Sequence, residues 1–283
     1  MSDRRLTPAN GRVAAAHLRG LVEAEHFSEG RRATIRPSVA NLLESQGGRR
    51  ERQLLHGAEV VEYEDVDGWS FVQSLADGYV GYLRSDMVND DLADEPAMAA
   101  THRVVTRATH AYRQPDIKSR EALWLSLGAR VEVTGRDETF LHTTSGYVPA
   151  RHLAPLEETA TDPVAVAERL LGTPYLWGGN SSQGIDCSGL VQGALLLCGC
   201  DCPADSDLQQ AALGDTLPPD TEPRRGDLLF WKGHVAWVAG PDLLLHANAH
   251  HMAVAFEPLV AAVARIEANG DGPVTRHARL PLT

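Results

Sequence analysis

Cys187 constrains the fold more than any other residue, because it stands where a glycine-rich stretch meets a helical pattern. The preceding segment GTPYLWGGNSSQGID has the composition of loops. From Cys187 onward, apolar residues recur at i+3, i+4, i+7, i+8 and i+11, which predicts a helix with one buried face. We therefore expect a thiol held at the start of a helix that is anchored in a hydrophobic core.

A cysteine in this position can act as a nucleophile if it has partners. Unpaired amides and the positive end of the helix dipole both favour the thiolate over the thiol. Nucleophilic attack also needs a base within hydrogen-bonding reach and a third group that orients the base.

The segment RRGDLLFWKGHVAWVAGPDLLLHANAH offers those partners. Its pattern predicts two strands, Asp227 to Val238 and Leu243 to Ala247, joined by a turn at residues 240–242. If these strands pair, His234 and His246 share one sheet face, over which the cysteine helix packs. Asp227 is expected to be structural and to hold the turn before the first strand.

The other cysteines, Cys198, Cys200 and Cys202, follow the helix closely. A zinc site that includes His250 and His251 is an alternative, but C-x-C-x-C is tighter than the usual zinc spacing. All four cysteines lie within 16 residues (202 − 187 + 1), which is a poor arrangement for disulfides that connect separate parts of a fold. We predict reduced thiols and no metal.

Before the cysteine segment, the chain has the texture of all-β structure. Residues 11–27 are the exception, since apolar residues at i, i+4, i+7 and i+8 predict a short leading helix. Short β-like runs separated by Gly, Asp and Ser then begin near residue 31, with aromatics such as Trp69, Tyr82 and Tyr147 expected in the cores. The acidic segment NDDLADEPAMAAT (89–101) is predicted to be a connector.

The segment GAEVVEYEDVDGWSFVQSLADGYVGYL resembles a bacterial Src-homology-type barrel. Downstream, LGARVEVTG parallels HGAEVVEYE and SGYVPARHL parallels DGYVGYLRS, which indicates a second copy. One larger β domain is the alternative. The predicted division is a helical segment at 1–30, barrels at 31–95 and 100–156, and a catalytic domain at 160–283, after Asp162 as a helix N-cap.

Five motifs in order, GTPYLWGG, DCSGLV, DSDLQQ, RGDLLFWKGHV and LLHAN, resemble those of NlpC-type peptidoglycan peptidases. The resemblance implies an α+β chain whose C-terminal domain has a papain-like fold. It also implies a catalytic triad of Cys187 as nucleophile, His234 as base and His246 as the residue that orients the base.

The same resemblance implies further contacts, which we give as expectations. Tyr175 would help to form the oxyanion site, and Asp186 would bind a free amino group of the substrate. The other implied substrate contacts are Trp177, Ser188 and Ser206, together with Glu51 and Tyr79 near the loops of the first barrel.

Composition limits the partners. A net charge of −12 with 26 Lys and Arg residues argues against nucleic acid or an anionic membrane as the main partner. Neither an apolar run of membrane-spanning length nor a signal-peptide pattern is evident, so a cytoplasmic protein is expected.

The resemblance thus implies hydrolysis of the γ-D-glutamyl–diamino-acid bond in murein peptides. The expected substrate is a short free peptide with an N-terminal L-Ala in cell-wall recycling, and no cofactor is implied. The alternatives are a thiol amidase or acyltransferase that uses another substrate, and a non-catalytic wall-binding protein. The oligomeric state stays open.

Overall fold

The structure is a computed structural model that describes residues 3–89 and 100–281. The chain has an α+β fold and divides into two compact units, an N-terminal unit (Met1–Leu156) and a C-terminal unit (Glu157–Thr283). Residues 90–99 of the predicted connector lie outside the described ranges.

The predicted helix over residues 11–27 is wrong. This segment instead forms two short strands, β1 (Val13–Ala15) and β2 (His26–Ser28), which pair in parallel, with a 3-10 turn at Ala16–Leu18. Gly20 has φ +82°, which a continuous helix does not allow. Val13 is completely buried and packs with Phe71 and Val80, whereas Leu21 is 77% exposed, so the apolar residues share no single buried face.

The first β module comprises residues 31–89. Its strands are β3 (Arg31–Ile35), β4 (Val39–Leu43), β5 (Arg50–Leu55), β6 (Glu59–Val66), β7 (Trp69–Ser74), β8 (Val80–Arg84) and β9 (Val88–Asn89). They form one sheet in the order β5-β4-β8-β7-β6-β3-β9, and all pairs are antiparallel. Buried and exposed residues alternate along β4, as they do in a strand with one face in a core.

The second β module comprises residues 102–155 and has a core of its own, centred on Val104, Leu125 and Val148. Its strands are β10 (His102–Val104), β11 (Ala108–Tyr112), β12 (Glu121–Ser126), β13 (Arg130–Val131), β14 (Val133–Arg136), β15 (Phe140–Thr143), β16 (Gly146–Pro149) and β17 (Leu153–Pro155). They form two sheets, with the orders β13-β10-β17 and β12-β11-β16-β15-β14.

The two β modules meet at His56. Its Nδ1 lies 2.7 Å from the Arg36 carbonyl oxygen and therefore carries the proton, so Nε2 accepts from the Ser145 hydroxyl at 2.7 Å. The Arg130 amide donates to the His56 carbonyl oxygen at 2.9 Å. Leu55 packs against the core of the second module. The border between the modules therefore combines apolar packing with specific hydrogen bonds.

The C-terminal unit consists of a central antiparallel sheet with helices. The strands are β18 (Asn180–Ser181), β19 (Gly184–Ile185), β20 (Asp215–Thr216), β21 (Asp227–Trp231), β22 (His234–Gly240), β23 (Leu243–Asn248), β24 (Ala253–Pro258) and β25 (Arg276–Arg279). The main sheet has the order β20-β25-β21-β22-β23-β24, and β18 and β19 pair separately. The helices are α1 (Pro163–Glu168), α2 (Cys187–Leu197), α3 (Ser206–Ala212) and α4 (Leu259–Ile266).

The predicted single strand from Asp227 to Val238 is in fact a hairpin. Strands β21 and β22 pair up to Trp231 and His234, so Lys232 and Gly233 form a two-residue turn. Gly233, the second turn residue, has φ +75°, a left-handed conformation that glycine adopts without strain. His234 is therefore the first residue of its strand.

Two helix starts were predicted correctly. Asp162 caps α1, accepting from the amides of Val164 and Ala165, with Pro163 in the first turn. Helix α2 begins at Cys187 and contacts strands β22 and β23. Among the described residues, no helix has the length and apolar character needed to cross a membrane.

Candidate active site

The start of α2 is held by Asp186. One carboxylate oxygen, Oδ1, accepts from the Gly189 amide at 2.7 Å and from the Ser188 hydroxyl at 3.0 Å. The other, Oδ2, accepts from the Gly178 amide at 2.7 Å and so ties the glycine loop to the helix. A Cβ at Gly189 would lie 2.5 Å from the Gly179 carbonyl oxygen, which explains why glycine is needed at this crossing.

Cys187 is the first residue of α2 and only 7% exposed. The backbone amide of Val235, the residue after His234, lies close enough to the thiol to lower its pKa. Helix α2 also contacts β22, the strand that begins at His234.

The predicted preference of Cys187 for the thiolate is wrong for the free protein. Burial, followed by the negative charge of Asp186, raises the pKa of the thiol to about 12. The amides of Val235 and Ser188 lower this pKa, as expected at a helix start, but they do not outweigh burial. Cys187 is therefore a neutral thiol near neutral pH.

Tyr175 lies in the same electrostatic environment. Its phenol is half-buried, and burial is the main cause that raises its pKa to about 12. Electrostatic effects of Cys187, once it ionises at high pH, and of Asp186 raise this pKa further. Its amide donates to the Met252 carbonyl oxygen at 2.9 Å, which fixes this loop against the end of the sheet. The neutral Tyr175 hydroxyl can therefore donate a hydrogen bond near the thiol.

His234 and His246 are in direct contact. His234 Nε2 lies 2.9 Å from His246 Nδ1 across the β22–β23 pair. The register pairs Trp237 with Leu245, which makes the two histidines diagonal neighbours on one sheet face. His246 is 1% exposed, and the ring of Trp231 lies 5.7 Å from the ring of His234.

Two residues that the sequence analysis did not single out extend this contact. Glu257 Oε2 lies 3.0 Å from His246 Nε2. Arg265 donates to both oxygens of the same carboxylate, from Nε at 2.8 Å and from Nη2 at 2.7 Å. The available signal was weak, because Glu257 is one acidic residue in the apolar strand segment AVAFEP, and only the strand register brings it to His246.

Burial controls the charge of the two rings. It is the main cause that lowers the pKa of His234 to about 3 and the pKa of His246 to about 4. The hydrogen bond from Arg265 is the main cause that lowers the pKa of Glu257 to about 2. Near neutral pH the group therefore consists of two neutral imidazoles beside a carboxylate and a guanidinium.

The remaining predicted contacts of the C-terminal unit lie in different settings. Ser188 is buried, and its hydroxyl donates to Asp186. Ser206 is the half-buried first residue of α3, whose Gln209 donates to the Ser188 carbonyl oxygen at 2.9 Å. Trp177 is 55% exposed. These positions stay predicted substrate contacts.

Glu51 and Tyr79 lie in the N-terminal unit. The Glu51 carboxylate forms an ion pair with Arg4. Tyr79 is 2% exposed, and the guanidinium of Arg52 lies over its ring at 5.3 Å. Both side chains are therefore engaged within their own unit, and their contact with substrate stays a prediction.

None of the four cysteines, all of which are described, forms a disulfide. Cys200 Sγ lies 3.8 Å from the Cys198 carbonyl oxygen, and Cys202 Sγ lies 3.4 Å from the Pro203 carbonyl oxygen. Cys202 is buried, as expected of a structural thiol, whereas Cys198 and Cys200 are half-buried. Their reduced state stays a prediction.

The fold and this arrangement define a papain-like thiol hydrolase, in which a helix headed by a buried cysteine contacts an antiparallel sheet that carries a histidine pair. Comparison with known proteins agrees. Residues 172–264 match the NlpC/P60 family, and residues 43–88 match the bacterial dipeptidyl-peptidase Sh3 domain.

Individual relatives support the same assignment. The chain is 32% identical over 216 residues to dipeptidyl-peptidase 6 of Lysinibacillus sphaericus, covering 69% of this chain and 79% of that protein. It is 38% identical over 97 residues to the γ-D-glutamyl-L-lysine dipeptidyl-peptidase of Bacillus subtilis, covering 31% of this chain and 32% of that protein. A crystal structure of an NlpC/P60 family protein from Bacillus cereus shares the fold, with a TM-score of 0.72 at 20% identity over 89% of this chain and all of that one.

The chain belongs to the NlpC/P60 family. It is a hydrolase of the cysteine peptidase class.

Proposed function

We propose that this protein hydrolyses the γ-D-glutamyl–diamino-acid bond of short murein peptides, with Cys187 as nucleophile, His234 as base and His246 as the residue that orients the base. The observation that carries the proposal is the 2.9 Å contact of His234 with His246, on a strand that the helix of Cys187 contacts. The names of the relatives from L. sphaericus and B. subtilis support the reaction class and the γ-D-glutamyl linkage.

The proposed reaction is acyl transfer through the thiol. His234 takes the proton of Cys187 as the sulfur attacks the γ-carbonyl carbon of D-Glu, and it then gives this proton to the leaving amino group of the diamino acid. Water, deprotonated by His234, hydrolyses the thioester and restores the thiol. The backbone amide of Cys187 and the hydroxyl of Tyr175 stabilise the oxyanion.

A free amino end is the second part of the proposal. A dipeptidyl-peptidase removes two residues from the amino end, and the match of residues 43–88 to the Sh3 domain of such enzymes supports this specificity. We propose that Asp186 contributes to binding the amino group, and that Ser188, Ser206, Trp177, Glu51 and Tyr79 contact the peptide. The proposed setting is recycling of wall peptides in the cytoplasm.

The proposal keeps the predicted domain division, with a second Src-homology-type barrel at residues 100–156. The separate apolar core of the second β module supports this division.

The test is incubation with L-Ala-γ-D-Glu-meso-diaminopimelate and detection of L-Ala-D-Glu by mass spectrometry. Cys187→Ala should lower the rate at least about 10⁴-fold, because the nucleophile is lost. Cys200→Ala, which removes a half-buried thiol from the same unit, is the matched control and should retain the wild-type rate. Intact peptide with wild-type protein would refute the proposed substrate.

The N-acetylated peptide and the α-linked isomer separate the parts of the proposal. Cleavage of the acetylated peptide at an equal rate would refute recognition of the amino end, and cleavage of the α-linked peptide would refute specificity for the γ-bond. Transfer of the acyl group to an added amine instead of water would favour the acyltransferase alternative. Cell fractionation tests the cytoplasmic setting.

A further inference from the structure

The carboxylate of Glu257 lies behind the histidine pair, on the side away from His234. Strand register explains this placement. His246 pairs with Ala255 across β23 and β24, so Glu257 lies two residues further along the same face of β24. Glu257 is 6% exposed, although nothing in a local sequence pattern requires a buried acid in this strand.

Helix α4 brings the matching cation to this carboxylate. Pro258 ends β24 and precedes the helix, which packs its apolar residues Ala262 and Ile266 on the sheet. Arg265 then reaches back and binds Glu257 through two parallel hydrogen bonds of 2.8 and 2.7 Å. A bidentate arginine fixes both the position and the charge of a carboxylate.

The order of donors and acceptors follows from these contacts. An ionised carboxylate accepts only, so His246 must carry its proton on Nε2, which faces Glu257 at 3.0 Å. His246 Nδ1 is then an acceptor, and His234 must carry its proton on Nε2, which faces that atom at 2.9 Å. The remaining nitrogen, His234 Nδ1, keeps its lone pair for a proton from the thiol.

We propose that Glu257, fixed by Arg265, is a positioning residue that sets the tautomer of His246 and, through it, the tautomer of His234. The inference rests on the proposed function only for the role of His234 as the base.

Charge on His234 changes during the proposed reaction. At rest both the thiol and the imidazole are neutral, so positive charge on His234 develops only during proton transfer from Cys187. Among the described residues that act electrostatically on His234, Glu257 raises its pKa, whereas His246 and Arg265 lower it, and Arg265 has a larger effect than Glu257. The carboxylate by itself therefore favours the imidazolium, but the Glu257–Arg265 pair as a whole does not, so the pair acts on His234 through the hydrogen bonds that fix the rings.

Charged neighbours also influence the pKa of His246. Glu257 raises the pKa of this ring through its charge and its hydrogen bond, whereas Arg265 and His251 lower it. Loss of the carboxylate charge should therefore lower the pKa values of both rings.

The first test needs no substrate. Long-range 1H–15N correlation spectra of the full-length protein distinguish the two neutral tautomers of each histidine. We expect both His234 and His246 to carry the proton on Nε2 near neutral pH. An Nδ1–H tautomer on His246 in the wild-type protein would overturn the proposal.

The second test removes the negative charge of Glu257 and retains the shape of its side chain. Glu257→Gln should lower kcat about 10- to 100-fold, the range for residues that orient a functional ligand, with KM within about twofold. The acidic limb of the kcat/KM profile should move to lower pH by about one unit, since an anion that raised the pKa of the base is gone. A residue that only supports the fold would not move this limb. Unchanged kcat with an unchanged acidic limb would overturn the proposal.

Two further variants make the result interpretable. Glu267→Gln removes an exposed carboxylate near the end of α4 and should behave as wild type. If Glu257→Gln alone does not fold because Arg265 is left unpaired, the double variant Glu257→Gln/Arg265→Gln removes both charges. It should show the same fall in kcat and a loss of the fixed Nε2–H tautomer of His246, and retention of both would overturn the proposal.

These outcomes are separable from those of the proposed function. If the wild-type protein does not cleave the murein peptide, the proposed substrate is refuted. The tautomer spectra still decide the role of Glu257, since they require no turnover.

Discussion

Replacing Asp186 with asparagine should destabilise the C-terminal unit and at the same time make the thiol of Cys187 more acidic. The loss of stability comes from replacing the oxygen atom Oδ2, and the change in acidity comes from removing the negative charge of the carboxylate. Asparagine has the same shape and is as good a helix N-cap as aspartate, so its carbonyl oxygen can keep the bonds from Gly189 and Ser188. Its amide nitrogen replaces the oxygen that accepts from Gly178.

The stability change can be worked out from the Gly178 contact. An amide donor facing a buried N–H leaves that N–H unsatisfied, at a cost of about 1–3 kcal/mol. Burial raises the pKa of Asp186, so the carboxylate already carries a desolvation cost, and the neutral amide avoids part of it. We expect a net loss of about 1 kcal/mol, or about 0.5 M in the urea midpoint for a slope of about 2 kcal/mol/M.

The thiol should respond in the opposite sense. Asp186 is the largest cause after burial of the raised pKa of Cys187, and asparagine removes its charge. A fall of about one unit in the thiol pKa is expected, which makes alkylation at a fixed pH about tenfold faster. The variant should therefore be less stable and more reactive.

The assay is iodoacetamide labelling at several pH values, followed by mass spectrometry of the peptide that contains Cys187, alongside urea unfolding. Asp201→Asn removes an exposed carboxylate from the same unit and is the matched control. A pH profile of labelling that coincides with wild type would refute the electrostatic reasoning. An unchanged urea midpoint would refute the role given to the bond from Gly178.

Two other predictions concern stability. The pKa of folded His234 lies near 3, below its ordinary value of 6.5, so the unfolded chain takes up the proton first and stability falls as the pH drops below 6.5. His234→Ala should reduce this loss by about 1 kcal/mol per pH unit, and an unchanged slope of Tm against pH would contradict the buried neutral ring. In the N-terminal unit, Gly57→Ala should destabilise by at least about 2 kcal/mol, because φ is +72° and the new Cβ would lie 2.2 Å from the Arg130 carbonyl oxygen. Gly47→Ala, with φ +69° and open space, should cost only about 1 kcal/mol, and equal losses in thermal unfolding would argue against the Arg130 contact.

The spacing of apolar residues was sufficient to predict the helix that carries the thiol. Leu190, Val191, Ala194 and Leu195 were predicted to share a buried face, and each is 1% exposed. Spacing along a helix determines which side chains share a face, so no tertiary information was needed.

The hairpin shows why strand boundaries were harder to predict. Apolar residues continue from β21 into β22, and the only interruption is Lys232 and Gly233. Two polar or small residues are enough for a hairpin turn, so a short interruption carries little weight in the pattern. The contact of His234 with His246 was nevertheless predicted, because it depends on the pairing of β22 with β23 alone.

Tertiary environment determined what the sequence did not predict. The helix start suggested a thiolate, but the amount of burial at Cys187 depends on packing from several elements, and burial outweighs the local amides. Glu257 was missed for a related reason, since its proximity to His246 requires the register of β24 and the return of α4. The spacing over residues 11–27 did not show that Val13 packs with Phe71 and Val80 of the first β module, or that Gly20 takes φ +82°.

The border at His56 has an evolutionary and practical consequence. Because one ring connects Arg36 to Ser145 and Leu55 packs into the neighbouring core, neither β module can be exchanged alone without changing the surface of the other. Recombination between homologues is therefore expected to retain or replace both β modules together. For chimeric peptidases, a junction after Leu156 is expected to yield soluble protein more often than one between the two modules.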